Sequence, residues 1–167
     1  GIEYIDFAAE TAKLSLWIAE YQMNKRYEDE FGKLPPSLPL KDTNNIRHGN
    51  ALRIAWESVC PHSDDPEVKT YIVGNPPFLS FHKRVESQKD DLKFVFEGKV
   101  KSFKDLDYVS CWVYTESSYM NSQCSTAFVA TGSIVQGEQV QMLWPAVFNN
   151  NVEINFAYLP FKWRNNA

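Results

Sequence analysis

Positive charge is in short supply. Seventeen Lys and Arg stand against 21 Asp and Glu, a formal net charge of -4. A stand-alone DNA-binding domain ordinarily carries a basic face. Any affinity for nucleic acid must therefore come from local patches or from parts outside this sequence. The chain holds only three cysteines, Cys60, Cys111 and Cys124. The count is odd and the spacing fits no zinc or redox motif, so free thiols in a reducing cytoplasm are expected. His48, Cys60 and His62 lie close in sequence without the spacing of a standard metal site, and no metal is expected. There is no apolar run long enough to span a bilayer, no signal-peptide pattern, no internal repeat and no low-complexity tract, so no membrane partner is expected either.

What is present suits a single globular domain over residues 1–167. Hydrophobic residues make up 44% and charged residues 23%, ordinary for a folded domain. Aromatics reach 14%, which directs attention to stacking surfaces. Gly1-Ile2-Glu3 reads as the tail of a strand. A helix follows, with Asp6 as its N-cap and Phe7, Thr11, Leu14, Trp17, Ile18 and Tyr21 on one face. That stripe is expected to pack into a core. Pro35, Pro36 and Pro39 make a loop of the stretch from Phe31 to Lys41. A short strand near Asn45–Arg47 and a turn over His48–Leu52 come next. Glu57–Glu67 is irregular. Tyr71-Ile72-Val73 reads as a buried parallel strand stopped by Gly74. Beyond it, Gln88–Val100 is partly helical, Leu106–Met120 a helix and Ala127–Ala130 a buried strand. Glu138–Phe148 is a helix bent or broken at Pro145, and Val152–Tyr158 a last strand. Alternation of this kind predicts an α/β sheet with parallel strands and helices on its faces. Ligands bind beyond the C-terminal ends of the strands in such sheets. Glu3, Asn50 and Asn75 each stand at or just past a strand end and are expected to converge on one crevice.

The most informative stretch is Gly74-Asn75-Pro76-Pro77-Phe78. Pro76 drives Asn75 into an extended conformation, and two prolines in a row stiffen the loop. Neither proline has a backbone N–H, so the loop is rich in acceptors and poor in donors. The exocyclic amine of a nucleic-acid base is a weak nucleophile because its lone pair is delocalised into the ring. Two acceptors, the Asn75 side-chain oxygen and the Pro76 carbonyl, can bind its two hydrogens and aim that lone pair at a methyl donor. The work is positioning and charge stabilisation. Phe78 offers a flat face for stacking. His82-Lys83-Arg84 follow as a small basic cluster within reach of a phosphate or, more simply, as a solvated turn.

Asn-Pro-Pro-Phe after a strand resembles the catalytic motif of amino-methyltransferases acting on DNA adenine. The resemblance covers nearly the whole chain. Gly1-Ile2-Glu3, Asp6-Phe7-Ala8 and Leu14-Ser15-Leu16-Trp17 resemble the segment after the first glycine-rich motif of large single-chain restriction-modification methyltransferases. Gly49-Asn50-Ala51-Leu52 resembles their third cofactor motif. Ile134–Gln139 and Phe161–Ala167 resemble further segments of the same enzymes. The resemblance implies a partial Rossmann-like, class I S-adenosylmethionine-dependent methyltransferase sheet with helices on both faces. It implies that Glu3 binds the cofactor's ribose hydroxyls, that Tyr4 packs beside its adenine, and that Asn50, with Ala51 beside it, contacts the adenine amino group. The family more often has Asp at the position of Asn50, which by itself is also a turn residue. Asn75, Pro76, Pro77 and Phe78 would hold the target adenine, flipped out of double-stranded DNA because its amine is unreachable inside the duplex. Phe161 or Trp163 would stack on its other side.

No Gly-x-Gly occurs anywhere in the 167 residues. The family's first strand and glycine-rich loop are therefore expected upstream of Gly1, its nuclease domain further upstream, and its target-recognition domain downstream of Ala167. The expectation is a piece of a larger enzyme that binds S-adenosylmethionine weakly or not at all by itself and is inactive alone. Two other readings share these residues. Asn-Pro-Pro-aromatic loops also serve methyltransferases of protein glutamine amides or RNA guanine amines. The other is a non-catalytic, methyltransferase-like DNA-binding module.

Overall fold

The first strand, β1 (Ile2–Glu3), pairs in parallel with β2 (Arg47–His48), Ile2 opposite Arg47 and Glu3 opposite His48. The computed structural model describes residues 1–33, 46–79 and 81–161, the Phe81 side chain excepted. Most of the proline-bearing loop after Phe31, and Asn45 at the head of the expected second strand, lie outside the described residues. Two parallel strands need a long crossover. Here it begins with α1 (Asp6–Phe31), 26 residues long. Ile5, in extended conformation, takes the N-cap position, and Asp6 is the first helical residue instead of the cap. Its carboxylate still favours the positive end of the helix dipole. The helix stops at Gly32, whose left-handed backbone (φ 65°) lets its N–H reach the Glu28 carbonyl at 2.8 Å.

The apolar stripe of α1 does not form a core. Phe7 is 80% exposed and Tyr21 71%, Leu14 and Ile18 are also exposed, and Ala9 is the one buried residue of the helix. Periodicity reports that a face is apolar, not what covers it. Surface ion pairs, Lys13–Glu10 at 2.8 Å and Lys25–Glu28 at 3.0 Å, add little.

By its contacts the chain divides into two compact units, Gly1–Pro61 and His62–Ala167. The second is built on β3 (Thr70–Gly74) and β4 (Cys124–Phe128), parallel and in register from Thr70 opposite Cys124 to Gly74 opposite Phe128. Between them run α2 (Glu86–Phe96) and α3 (Ser110–Tyr119), and α4 (Glu138–Phe148) packs on α3. Leu92, Phe96, Leu106, Val109, Cys111 and Leu143 form the core of this unit, each almost fully buried.

The parallel pairing and the strand–helix alternation agree with the sequence pattern. Several details differ. Among the described residues the strands form two separate two-stranded ladders. β3 is not buried: Tyr71 is 73% and Val73 79% exposed, because alternate residues of this strand face away from the core. β4 begins three residues before the expected Ala127. α3 begins at Ser110, since residues 106–109 form a turn held by distant partners. α4 continues through Pro145, whose carbonyl accepts the Asn149 N–H at 3.1 Å. Val152–Tyr158 forms no regular element and joins no ladder among the described residues. None of the described helices is long and apolar enough to cross a membrane.

Candidate active site

Strand β3 delivers the acceptor-rich loop. At its last residue, Gly74, a Cβ would lie 3.1 Å from the Phe128 ring, so glycine permits the close approach of β4 there. The Gly74 carbonyl accepts the Val129 N–H at 3.1 Å. Beyond this clamp the chain leaves the ladder, with Asn75, Pro77 and Phe78 exposed and Pro76 buried. The next fixed point is Leu79. Its carbonyl accepts the Tyr108 N–H at 3.2 Å, and its N–H donates to Asp107 Oδ1 at 3.3 Å. The four residues Asn75-Pro76-Pro77-Phe78 thus hang between two backbone anchors. No titratable side chain lies in the loop, which suits chemistry by positioning.

In the other unit, Glu3, Tyr4, Asn50 and Ala51 gather at the C-terminal end of the β1–β2 ladder. The Glu3 carbonyl accepts the Gly49 N–H at 2.8 Å, and Glu3 Oε1 accepts the Ile5 N–H at 3.0 Å. Tyr4 is exposed, and its carbonyl meets His48 Nε2 at 3.1 Å. Asn50 closes a tight turn, Oδ1 accepting the Leu52 N–H at 2.9 Å and its carbonyl the Arg53 N–H at 2.9 Å. The Ala51 carbonyl takes the Trp56 indole N–H at 2.9 Å. Gly49 makes this turn possible: its φ is 149°, and a Cβ would fall 2.7 Å from Ile54 Cδ1. Each of the three strand-end polar residues is where the pattern put it, with Glu3 and Asn50 together in one unit and Asn75 in the other.

Phe161 is exposed, next to Pro160, which leans on Gly132 with its Cγ 3.4 Å from where a glycine Cβ would stand. Trp163 lies outside the described residues. The basic cluster divides. His82 and Lys83 are exposed, whereas Arg84 is buried and donates to the Lys104 carbonyl at 2.8 Å. Burial lowers the Arg84 pKa, against the pull of Cys111, Asp107 and Asp105. Arg84 is therefore a structural cation and not a phosphate ligand. The His62 ring stacks on Tyr119 with centroids 4.5 Å apart.

Asp107 is the residue that pattern reading passes over. It is only 7% exposed and gathers hydrogen bonds from two remote segments, at Leu79 and at Thr131 and Ser133. Nothing in Leu106-Asp107-Tyr108 marks it out, because its partners are remote in sequence.

With this geometry in hand, the model of one protein family, described as "MmeI, DNA-methyltransferase domain", matches residues 1–167. The chain belongs to that family. It is 47% identical over 169 residues to DNA methyltransferase A of Bacillus subtilis (strain 168), covering 100% of this chain and 19% of that protein. It also superposes on a solved structure of the Type IIL restriction-modification enzyme MmeI in complex with DNA. There the TM-score is 0.87 at 42% identity, covering 100% of this chain and 22% of the other. As a member of the MmeI methyltransferase-domain family, the chain thus spans about a fifth of the length of these relatives. The resemblance read from the motifs is to the same family of restriction-modification methyltransferases.

Proposed function

We propose that this chain is part of the catalytic domain of a DNA methyltransferase that transfers a methyl group from S-adenosylmethionine to adenine N6 within a restriction-modification system. The observation that carries the reading is the Asn75–Phe78 loop, anchored at both ends and projecting from the C-terminal end of a parallel strand, in a chain of the MmeI methyltransferase-domain family. The reading implies a partial Rossmann-like methyltransferase fold and a single domain over residues 1–167. The Asn75 side-chain oxygen and the Pro76 carbonyl accept the two amine hydrogens and turn the lone pair outward. Phe78 stacks on the flipped base, and Phe161 or Trp163 closes on the opposite face. Holding the amine in line with the donor is worth orders of magnitude in rate.

The residues at the β1–β2 ladder suit the cofactor. Glu3 has one oxygen on the Ile5 N–H and, among the described residues, a second oxygen with no partner, able to accept from ribose hydroxyls. Asn50 Oδ1 accepts from Leu52, and a side-chain carbonyl is the type of acceptor that an adenine amino group requires. Tyr4 and Ala51 flank that position. Bound S-adenosylmethionine would supply the electrophilic methyl group. Target-recognition and nuclease domains would belong to the remainder of the parent polypeptide. Three cysteines outside any disulfide suit a cytoplasmic enzyme.

The test uses the full-length protein, assayed with labelled cofactor on DNA, RNA and protein. Label is expected in DNA adenine alone. Label in a protein glutamine or an RNA guanine would redirect the reading to another amine, and no label in any of them would favour a non-catalytic module.

A further inference from the structure

Asp107 sits at the turn before α3, buried, with both oxygens occupied. Its Oδ1 accepts the N–H of Leu79, the residue after Phe78, at 3.3 Å. Its Oδ2 accepts the hydroxyls of Thr131 at 3.1 Å and Ser133 at 2.8 Å, and those two hydroxyls are themselves 2.6 Å apart. The backbone joins in. Asp107 N–H donates to Gln139 Oε1 at 2.9 Å, and Gln139 Nε2 donates to the Asp105 carbonyl at 3.1 Å, clipping the turn to α4.

A simple helix cap would bond its own first turn. Here the local bond, Val109 N–H to Oδ1, is the longest at 3.5 Å, and the shortest goes to Ser133, 26 residues away. Burying a carboxylate is costly unless donors surround it, and the charge-assisted bonds it forms are among the stronger ones. The 131–133 segment is a firm partner. Its turn, Gly132–Val135, is tied to α4 by the Trp144 indole N–H on the Ile134 carbonyl at 2.7 Å. Pro160 rests on Gly132, between the two hydroxyl residues and one position before Phe161. One carboxylate therefore links the backbone beside Phe78 to the segment that supports Pro160.

We propose that Asp107 is a positioning residue for methyl transfer. Its carboxylate locks the Asn75–Phe78 loop to the 131–133 segment and so sets the gap that receives the flipped base. This rests on the reading of that loop as the base-binding element. A misplacement near 1 Å in a near-attack geometry costs about 100-fold in rate.

The experiment measures single-turnover methylation by the full-length protein at saturating DNA and S-adenosylmethionine, alongside binding of each. Asp107→Ala is expected to slow transfer by about 100-fold with affinities for DNA and cofactor near wild type. Asp107→Asn keeps an acceptor for the Leu79 N–H, and its amide can donate to the Thr131 and Ser133 oxygens. It is expected to recover most of the rate. Thr131→Val combined with Ser133→Ala leaves the carboxylate but cuts the bridge, and slows transfer too; it decides the matter if Asp107→Ala does not fold. A wild-type rate in Asp107→Ala, or in the double variant, overturns the proposal. So does an Asn variant no better than the Ala variant. Asn75→Ala run in parallel separates the two ideas. If it is inactive while Asp107→Ala is not, only the role of Asp107 fails; if it retains full activity, the base-binding reading fails and takes this proposal with it.

Discussion

Single side chains in the second unit are held in environments that change their chemistry. Glu116, buried on α3, has its carboxyl pushed up by desolvation, opposed by the influence of the neighbouring Thr126 hydroxyl. A carboxyl whose folded pKa is raised contributes stability below its unfolded value, and that contribution is lost as pH rises through the folded value. Stability should therefore fall as pH climbs out of the ordinary glutamate range. Glu116→Gln should remove that fall, measured by denaturant unfolding across pH 4 to 7 (about the span of a shifted glutamate). An identical pH slope in the variant would exclude Glu116 as the cause. Burial likewise drives the Cys111 thiol far up, against exposed Cys60. The thiolate is the reactive form. Alkylation of the native protein should label Cys60 and spare Cys111 until denaturant is added, as read by mass spectrometry of the peptides.

At the scale of elements, the turn after β2 depends on Gly49. Gly49→Ala should destabilise by about 1–3 kcal/mol, the usual cost of a side chain in a glycine-only conformation. Gly32→Ala, with nothing within 4 Å of the added Cβ, should cost less; thermal unfolding of the two variants gives the comparison. The elements that local pattern located well are those with local causes. A β-branched run ended by Gly74 and two prolines located β3 and its exit. Gly32 ended α1, and Glu138–Phe148 formed its helix as spaced. Elements that depend on remote partners were misjudged. Residues 106–109 look helical by spacing, yet Asp107 bonds to Leu79, Thr131 and Ser133 and delays the start of α3 to Ser110. Val152–Tyr158 has strand composition and no ladder partner among the described residues. The stripe of α1 is truly apolar, but no pattern within a helix says whether that face is covered. The strand-end position of Asn75 is legible because Gly74 and two prolines after an apolar run mark an exit, whereas Glu3 and Asn50 stand beside short runs and are singled out by the resemblance. Asp107 is not legible, because its role exists only in three dimensions.

For the whole molecule, a net charge of -4 means that, under the proposed function, most phosphate contacts would fall to the rest of the parent protein. The chain spans 19% and 22% of the relatives it matches. Titration calorimetry of these 167 residues alone with S-adenosylmethionine should show no micromolar binding, since no Gly-x-Gly is present to wrap the cofactor; tight binding would show the site to be complete here. Under the proposed function, the Asn75–Phe78 loop holds the reacting amine. The most direct measurement is methylation of adenine by the full-length protein carrying Asn75→Ala, with DNA binding followed in parallel. The expected rate is at least about 100-fold below wild type with DNA affinity retained. An unchanged methylation rate would contradict it.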